Sequence, residues 1–285
     1  MNHADRHLIA LDIDGTLMPF GTRDDAGQYV PTTPDPAVAD AIRALADAGH
    51  EIVLSTGRSV EATLDVAEQL RIRPEWIVAC NGAVTLKRDP LATRAYRRHS
   101  VEAFDPTELL LRIRTHLVSA MYGIETADGE FLYTEPIPSA TLPRRQRQVK
   151  FDEMLGVQTS RVLVVSPDHA LQDFLEIAET IGLHRVSYAV GLTTWFDIAP
   201  TGVTKASALE VLRHRLGIDR SQVFAAGDGE NDIQMLQWAG RMGDSVAMGQ
   251  ADEYVRGVAN RVTGTVFENG LLMALRERFP ELLSD

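Results

Sequence analysis

The sequence predicts an α/β protein built around a parallel, doubly wound sheet. Four short apolar stretches each run directly into polar residues, and they are Leu8–Leu11, Ile52–Leu54, Trp76–Ala79 and Val223–Ala226. Apolar runs of this length, alternating with helical segments, are typical of buried parallel strands covered by helices. Such sheets bind ligands at the carboxyl ends of their strands, so the four polar ends are expected to line one edge.

The segments between these strands carry the start signals and the periodicity of helices. Asp35 is a helix-capping residue, and Pro36 after it suits the first helical position. The apolar stripe that follows is formed by Val38, Ile42 and Leu45. A second helix is expected over residues 59–70 and a third is expected to begin at Lys205. Helices with one apolar face would cover the sheet.

The pattern changes after Val84 to that of a mixed α+β unit. Strands are expected near Met121–Glu125, Phe131–Tyr133 and Arg161–Val165. A helix is then expected to carry Leu171, Phe174, Leu175, Ala178 and Ile181. The alternating pattern resumes at about Leu192. We therefore predict a core domain of residues 1–84 and 192–285, with an α+β domain of residues 85–191 inserted into it.

Composition limits the classes of function. The chain has 285 residues, of which 45% are hydrophobic, enough for two domains with buried cores. No stretch approaches the roughly 18 apolar residues of a membrane span, and the polar start, residues 1–7, shows no cleavable signal, so we expect a cytoplasmic protein without membrane association. One cysteine excludes an intrachain disulfide. The formal net charge of −12 argues against nonspecific nucleic-acid binding. We expect a monomer or a homodimer.

Asp12 and Asp14 are the most informative pair of side chains. They lie two residues apart at the end of the first apolar stretch, so they can share one face of the strand end. Two carboxylates this close repel each other unless a cation or a shared proton relieves them, which implies a metal, a proton-transfer role, or both. A calcium-binding EF-hand loop beginning at Asp12 is disfavoured, because Leu17 and Arg23 replace its required glycine and glutamate.

With these residues the chain resembles the haloacid dehalogenase-like phosphatases, specifically the Cof-type branch, subfamily IIB, which has a large C2 cap. The family's four motifs occur here in order, as Asp12–Leu17, Thr56 within Ser55–Arg58, Lys205 within Gly202–Lys205, and Gly227–Asp232. Asn81–Ala83 and Asp197–Pro200 also look like this branch. The insert lies between the second and third motifs, where the resemblance places the cap. The resemblance thus implies a Rossmann-like core with a cap that acts as a lid.

The resemblance also implies a mechanism. Asp12 would be the nucleophile that forms an aspartyl phosphate, and Asp14 the general acid and base. Mg²⁺ would be held by the Asp12 side chain, the Asp14 backbone carbonyl and Asp228. Thr56, Gly57, Lys205 and Asn231 would bind the phosphoryl group of a small phosphorylated metabolite.

Several of these positions have a second interpretation. A lone lysine at a helix start is usually a solvated surface charge, and Asn231 could instead cap a helix. Asp232 could support the metal ligands, or it could be a helix N-terminal residue that the helix dipole favours. Arg58 and Asn81 are candidates to support the site by contacting the residues that bind the metal and the phosphoryl group. The run Arg144–Arg147 could meet an anionic substrate, although such runs are more often solvated loops.

Three functions follow from the sequence. The first is a Mg²⁺-dependent phosphatase acting on a sugar phosphate or a phosphorylated cofactor. The second is a phosphotransferase similar to phosphomannomutases, in which the aspartyl phosphate passes to a sugar instead of water. The third is a noncatalytic binding module that has kept the fold, which the complete set of motif residues disfavours.

Overall fold

In a computed structural model of the chain, the described residues form one large sheet, one smaller sheet and a hairpin. The structure describes residues 6–23, 29–30, 32–137, 141–166, 176–177, 180, 187–189 and 194–283. The strands in chain order are β1 (Leu8–Leu11), β2 (Thr22–Arg23), β3 (Tyr29–Val30), β4 (Glu51–Ser55), β5 (Trp76–Ala79), β6 (Val84–Arg88), β7 (Tyr96–Val101), β8 (Met121–Thr126), β9 (Phe131–Tyr133), β10 (Gln146–Gln148), β11 (Thr159–Ser166), β12 (Ser187–Ala189), β13 (Thr194–Ile198), β14 (Val223–Gly227), β15 (Asp244–Ala247) and β16 (Arg261–Val262). The α-helices described are Pro36–Asp47, Val60–Gln69, Thr107–His116, Lys205–Leu216, Ile233–Gly240, Glu253–Val258 and Gly270–Arg278.

The large sheet has the strand order β16-β15-β14-β1-β4-β5-β6-β7. Its strands from β16 to β5 run parallel, with β1 between β4 and β14, whereas β6 and β7 pair antiparallel at the far edge. Because β1 is central, the polar residues after it lie between those that follow β4 and β14. This parallel core confirms the predicted α/β fold class.

Both faces of the large sheet are covered. Ile9 and Leu11 of β1 belong to the apolar cluster that includes the helices Pro36–Asp47, Val60–Gln69 and Gly270–Arg278. Leu8 and Ala10 point to the other face and join a cluster with the helices Lys205–Leu216 and Ile233–Gly240. This alternation along one strand, with every residue buried, explains why the first stretch of the sequence is apolar throughout.

A polar cluster connects the two helices on the second face of the sheet, Lys205–Leu216 and Ile233–Gly240. The Glu210 carboxylate accepts hydrogen bonds from Arg213 Nε at 2.9 Å, from Arg220 Nη2 at 2.6 Å and from the Trp238 indole at 2.7 Å. These partners, Arg213 first among them, hold the pKa of Glu210 well below its ordinary range. The ionised carboxylate therefore stabilises the packing of Lys205–Leu216 against Ile233–Gly240.

The smaller sheet has the strand order β10-β9-β8-β11-β13-β12. The helix Thr107–His116 packs on it through Leu110 and Ile113, which share an apolar cluster with Ile124, Val162 and Phe196. Strands and helix match the predicted α+β pattern for this part of the chain. The predicted helix around Leu171 lies outside the described residues.

The change from one sheet to the other does not occur at residues 85 and 192, the predicted bounds of the insert. Strands β6 and β7 belong to the large sheet, which therefore includes residues as far as Val101. Strand β13, Thr194–Ile198, still belongs to the smaller sheet. The sequence predicts β6 and β7 to belong to the insert, because the alternating pattern of strands and helices changes after Val84. The division into two domains remains a prediction.

Among the described residues, no helix is both long and apolar enough to cross a membrane.

Candidate active site

The predicted strand ends meet at one edge of the large sheet. The backbone N–H of Asp12 donates to the Ala226 carbonyl of β14 at 3.1 Å, which places Asp12 beside the loop that carries Asp228. On the other side, Leu11 of β1 pairs with Leu54 of β4, two residues before Thr56. Residues from the first, second and fourth motifs therefore share this edge.

Three carboxylates form a cluster here. Oxygens of Asp12, Asp228 and Asp232 all lie within 4.8 Å of one another. Asp232 is buried and accepts hydrogen bonds from the backbone N–H groups of Asp228 at 3.1 Å and Gly229 at 3.0 Å. The Thr16 hydroxyl donates to Asp228 at 3.1 Å. Asp232 therefore fixes the loop on which Asp228 sits, as well as being the residue that precedes the helix Ile233–Gly240.

Lys205 brings positive charge into this cluster. It is the first residue of its helix, capped by Thr204, and its side chain is fully buried. Its Nζ lies 2.6 Å from Asp12 Oδ1 and 2.7 Å from Asp232 Oδ1. Burial alone would lower the pKa of Lys205, but the two carboxylates outweigh burial and hold this pKa above its ordinary value. Lys205 is thus a permanent internal cation and not a solvated surface charge.

The cluster still has more negative than positive charge. Burial, followed by the charge of Asp232, raises the pKa of Asp12 well above its ordinary value, although Lys205 acts in the opposite direction. The same two causes raise the pKa of Asp228 to about 7. A divalent cation would remove this penalty, and carboxylate oxygens are the ligands that Mg²⁺ prefers. The residues present therefore suit a hard divalent cation.

A glycine of the first motif, Gly15, allows the Asp228 carboxylate to approach closely. Gly15 has a φ of +80°, and a Cβ at this position would lie 2.1 Å from Asp228 Oδ2. Gln250 Nε2 donates to the Gly15 carbonyl at 2.5 Å and lies 3.4 Å from the same Asp228 oxygen. Sequence reasoning missed Gln250, although the short apolar run Val246–Met248 before it marks another strand end at this edge.

The side chain of Asp14 is paired with Arg58. Arg58 Nε lies 2.7 Å from Asp14 Oδ2, and Nη2 lies 2.6 Å from Oδ1, which is a bidentate pair. The side chain of Asp14 is therefore not a member of the carboxylate cluster, and its predicted contact with a metal would be through its backbone carbonyl. Both residues were predicted site residues, but their pairing was not predicted.

A polar wall lies beside the cluster. It is formed by Thr56, Gly57, Asn81 and Asn231. The Thr56 hydroxyl is buried and accepts from the Arg58 backbone N–H at 3.2 Å. Asn231 Nδ2 donates to Asn81 Oδ1 at 2.9 Å, and a Cβ on Gly57 would lie 3.1 Å from that same oxygen. The second and fourth motifs are thus in contact through Asn81.

The loop that carries Asn81 is held in an unusual backbone conformation. Cys80 and Asn81 have φ values of 51° and 54°, in the left-handed region. Gly82 follows with a φ of +101°, and a Cβ there would lie 2.2 Å from the Thr204 carbonyl oxygen. The loop therefore packs directly on the start of the Lys205 helix, which connects the positions of the third motif and Asn81.

The arginine run is exposed, as its interpretation as a solvated loop predicted, and it also forms ion pairs. Arg144 Nη2 contacts both oxygens of Asp65, on the helix Val60–Gln69, at 2.9 Å. Arg145 and Arg147 pair with carboxylates of the smaller sheet's own turn. The run therefore contains an ion pair between the unit of the smaller sheet and the large-sheet unit.

Comparison with known proteins agrees with this geometry. The family model of haloacid dehalogenase-like hydrolases matches residues 9–275. The chain is 26% identical to 5-amino-6-(5-phospho-D-ribitylamino)uracil phosphatase YitU of Bacillus subtilis, over 96% of this chain and 97% of the relative. It is 29% identical to a phosphoglycolate phosphatase of Natronomonas pharaonis, over 94% of this chain and 95% of the relative.

A solved structure supports the fold. A phosphatase of the same superfamily from Bacteroides thetaiotaomicron superposes with a TM-score of 0.68 at 24% identity, covering 97% of this chain and 96% of the other. The family match extends over nearly the whole chain, and the four motifs that it contains converge on one site. The chain therefore belongs to the haloacid dehalogenase-like hydrolases, within the Cof-type phosphatase branch that its motifs predicted.

Proposed function

We propose that this protein is a Mg²⁺-dependent phosphatase that hydrolyses a small phosphorylated metabolite through an aspartyl phosphate on Asp12. One observation supports this most strongly. Asp12 is buried at the end of the central strand, with the Lys205 ammonium 2.6 Å from one of its oxygens and two more carboxylates nearby. A buried carboxylate held in this way by a permanent cation is suited to act as a nucleophile.

The Mg²⁺ ion would be held by the side chains of Asp12 and Asp228 together with the backbone carbonyl of Asp14. When bound, Mg²⁺ would neutralise charge on the phosphoryl oxygens and on the surrounding carboxylates. Asp232 would keep Asp228 in place through its hydrogen bonds to the loop backbone.

In the first step, an Asp12 oxygen attacks phosphorus and the bond from phosphorus to the leaving oxygen breaks. The leaving oxygen takes a proton from Asp14. Both Asp14 oxygens accept from Arg58 in this structure, so Asp14 must separate from the guanidinium and be protonated before it can donate. Arg58 thus holds Asp14 in an acceptor state until substrate is in place.

In the second step, water attacks the phosphorus of the aspartyl phosphate. Asp14, now deprotonated, takes a proton from this water, and the bond from phosphorus to Asp12 breaks to give inorganic phosphate. The phosphoryl group would be held by the Thr56 hydroxyl, the Gly57 backbone, the Lys205 ammonium and the Asn231 amide. Lys205 would act as a point charge and the others as hydrogen-bond donors.

The substrate class is proposed from the relatives. Their names denote phosphatases of a phosphorylated ribityl compound and of phosphoglycolate, both small phosphorylated molecules. A panel should therefore contain sugar phosphates, phosphorylated cofactors and phosphorylated small acids, with p-nitrophenyl phosphate as a generic substrate.

The test measures release of inorganic phosphate from this panel with and without Mg²⁺. Wild-type protein should release phosphate only with the cation, and Asp12→Asn should not, whereas Asp152→Asn, at an exposed carboxylate, should behave as wild type. Formation of an isomeric phosphate ester without phosphate release would favour the phosphotransferase. No reaction with any phosphate ester would favour the binding module.

A further inference from the structure

Asp197 of the smaller sheet contacts the polar wall of the active site. Its Oδ2 accepts from Asn81 Nδ2 at 3.2 Å, and its Oδ1 accepts from Arg161 Nε at 2.8 Å. Asp197 and Arg161 lie on the neighbouring strands β13 and β11, and Arg161 is buried. Asn81 then accepts at Oδ1 from Asn231 Nδ2 at 2.9 Å. A chain of hydrogen bonds therefore runs from the smaller sheet to the fourth motif.

The chain has a fixed direction because an ionised carboxylate only accepts hydrogen bonds. The Asn81 side chain must therefore turn its nitrogen towards Asp197, which leaves its oxygen towards Asn231. For the same reason Asn231 must turn its nitrogen towards Asn81. Without Asp197, an asparagine amide could adopt either of two orientations of nearly the same shape.

The orientation of Asn231 determines what it presents to a phosphoryl group. Its nitrogen carries two hydrogens, of which one is used by Asn81. Its oxygen lies towards Gly229, where a Cβ would be 2.6 Å from it. In the opposite orientation, the carbonyl oxygen would take the place of the N–H donor and would repel an anionic phosphoryl oxygen.

We propose that Asp197 is a positioning residue that fixes Asn231 as a hydrogen-bond donor to the phosphoryl group, acting through Asn81. The inference rests on the proposed phosphatase function, because Asn231 binds phosphate only there. Since Asp197 belongs to β13, the correct orientation also requires the smaller sheet to be seated on the large one. The backbone of β12, at Ser187–Ala189, lies beside Glu230–Asp232, which places the smaller sheet against this same loop.

The test uses Asp197→Asn, which keeps the shape of the side chain but can donate as well as accept. Inorganic phosphate is the probe, measured as a competitive inhibitor of p-nitrophenyl phosphate hydrolysis. We expect its inhibition constant to rise about tenfold in Asp197→Asn, as for loss of a hydrogen bond to a charged group. Asn231→Ala should raise the constant similarly, and the double variant should be no worse than Asn231→Ala. Asp152→Asn is the control and should not change the constant.

Two results would overturn the proposal. The first concerns the inhibition constant of phosphate. If Asp197→Asn raises this constant by the same factor in the wild type and in Asn231→Ala, Asp197 does not act through the Asn231 amide. The second readout does not depend on catalysis: the side-chain amide signals of Asn81 and Asn231 in NMR should move together in Asp197→Asn. Unchanged signals would refute the orienting role. Moved signals in a protein that hydrolyses no phosphate ester would instead contradict the proposed function.

Discussion

Lys205→Met removes the internal cation of the carboxylate cluster while keeping a side chain of nearly the same length. Lys205 is fully buried and donates to Asp12 and Asp232 at 2.6 Å and 2.7 Å, so no water can replace it without rearrangement. Breaking a buried ion pair by removing one partner costs about 3–5 kcal/mol. We expect a loss of this size in the free energy of unfolding, measured in EDTA at neutral pH.

The loss of free energy of unfolding in Lys205→Met should depend on pH. In the variant, burial and mutual repulsion raise the folded-state pKa values of Asp12 and Asp228 still further, with no ammonium to oppose them. Groups with a raised folded-state pKa bind protons more tightly when folded, so the variant gains stability as the pH falls. The difference between wild type and variant should therefore shrink as the pH falls through about 7, the folded-state pKa of Asp228 in the wild type.

Activity should fall by about 10²–10³-fold, the usual effect of removing a donor that stabilises charge in a transition state. Urea unfolding followed by tryptophan fluorescence gives the stability, and phosphate release gives the activity. Lys87→Met is the matched control, because Lys87 is partly exposed and lies 3.9 Å from Glu75 in an ion pair. A loss of stability below about 1 kcal/mol, typical of a surface pair, would refute the buried-cation interpretation.

Three further predictions concern other parts of the protein. Arg58→Gln removes the guanidinium that would turn to the phosphate once it separates from Asp14, so it should raise KM for alkyl phosphates and for p-nitrophenyl phosphate alike, by about tenfold; a loss confined to alkyl phosphates would contradict this role. Gly15→Ala should weaken Mg²⁺ activation at least about tenfold by displacing Asp228, whereas Gly202→Ala, which has the same φ of +80° and open space around its Cβ position, should not. Glu210→Gln should lower the free energy of unfolding by about 1–3 kcal/mol at neutral pH. Because the folded-state pKa of Glu210 is depressed, this difference should begin to decline below about pH 4 and continue to decline towards that lower pKa; a difference that stays constant with pH would disprove the prediction.

The sequence predicted that the candidate residues after several strands would lie at one edge of the sheet, but it did not predict their partners. Asp12, Thr56 and Asp228 each follow an apolar strand, and parallel strands place their carboxyl ends together. Lys205 was recognised only through the motif order, because a lysine at a helix start has no local feature that predicts burial. The pairing of Arg58 with Asp14 depends on two loops meeting in space, which no local pattern reports.

The limits of the insert were harder to predict for a related reason. Strands β6 and β7 form a hairpin with polar and charged residues, such as Arg97 and Arg98, and hairpins occur in either kind of sheet. Their membership of the large sheet is decided by the pairing of β6 with β5, a contact between Trp76–Ala79 and Val84–Lys87. The turn between them needs left-handed residues at Cys80 and Asn81, which the sequence does not mark clearly.

The balance of charge links the separate parts of the site. Of the groups described above, four are carboxylates, Asp12, Asp14, Asp228 and Asp232, and two are cations, Lys205 and Arg58. With all six groups ionised, the site would be two charges negative before a phosphate ester, itself an anion, arrives; burial and this excess of negative charge are what raise the pKa values of Asp12 and Asp228. Lys205 is already engaged by two carboxylates and Arg58 by another, so neither can neutralise the incoming phosphate without giving up a partner. A divalent cation would compensate this excess. On the proposed mechanism, substrate should therefore bind after the metal, and separation of Arg58 from Asp14 should accompany substrate binding, so that the guanidinium turns to the phosphate while Asp14 serves as the proposed acid.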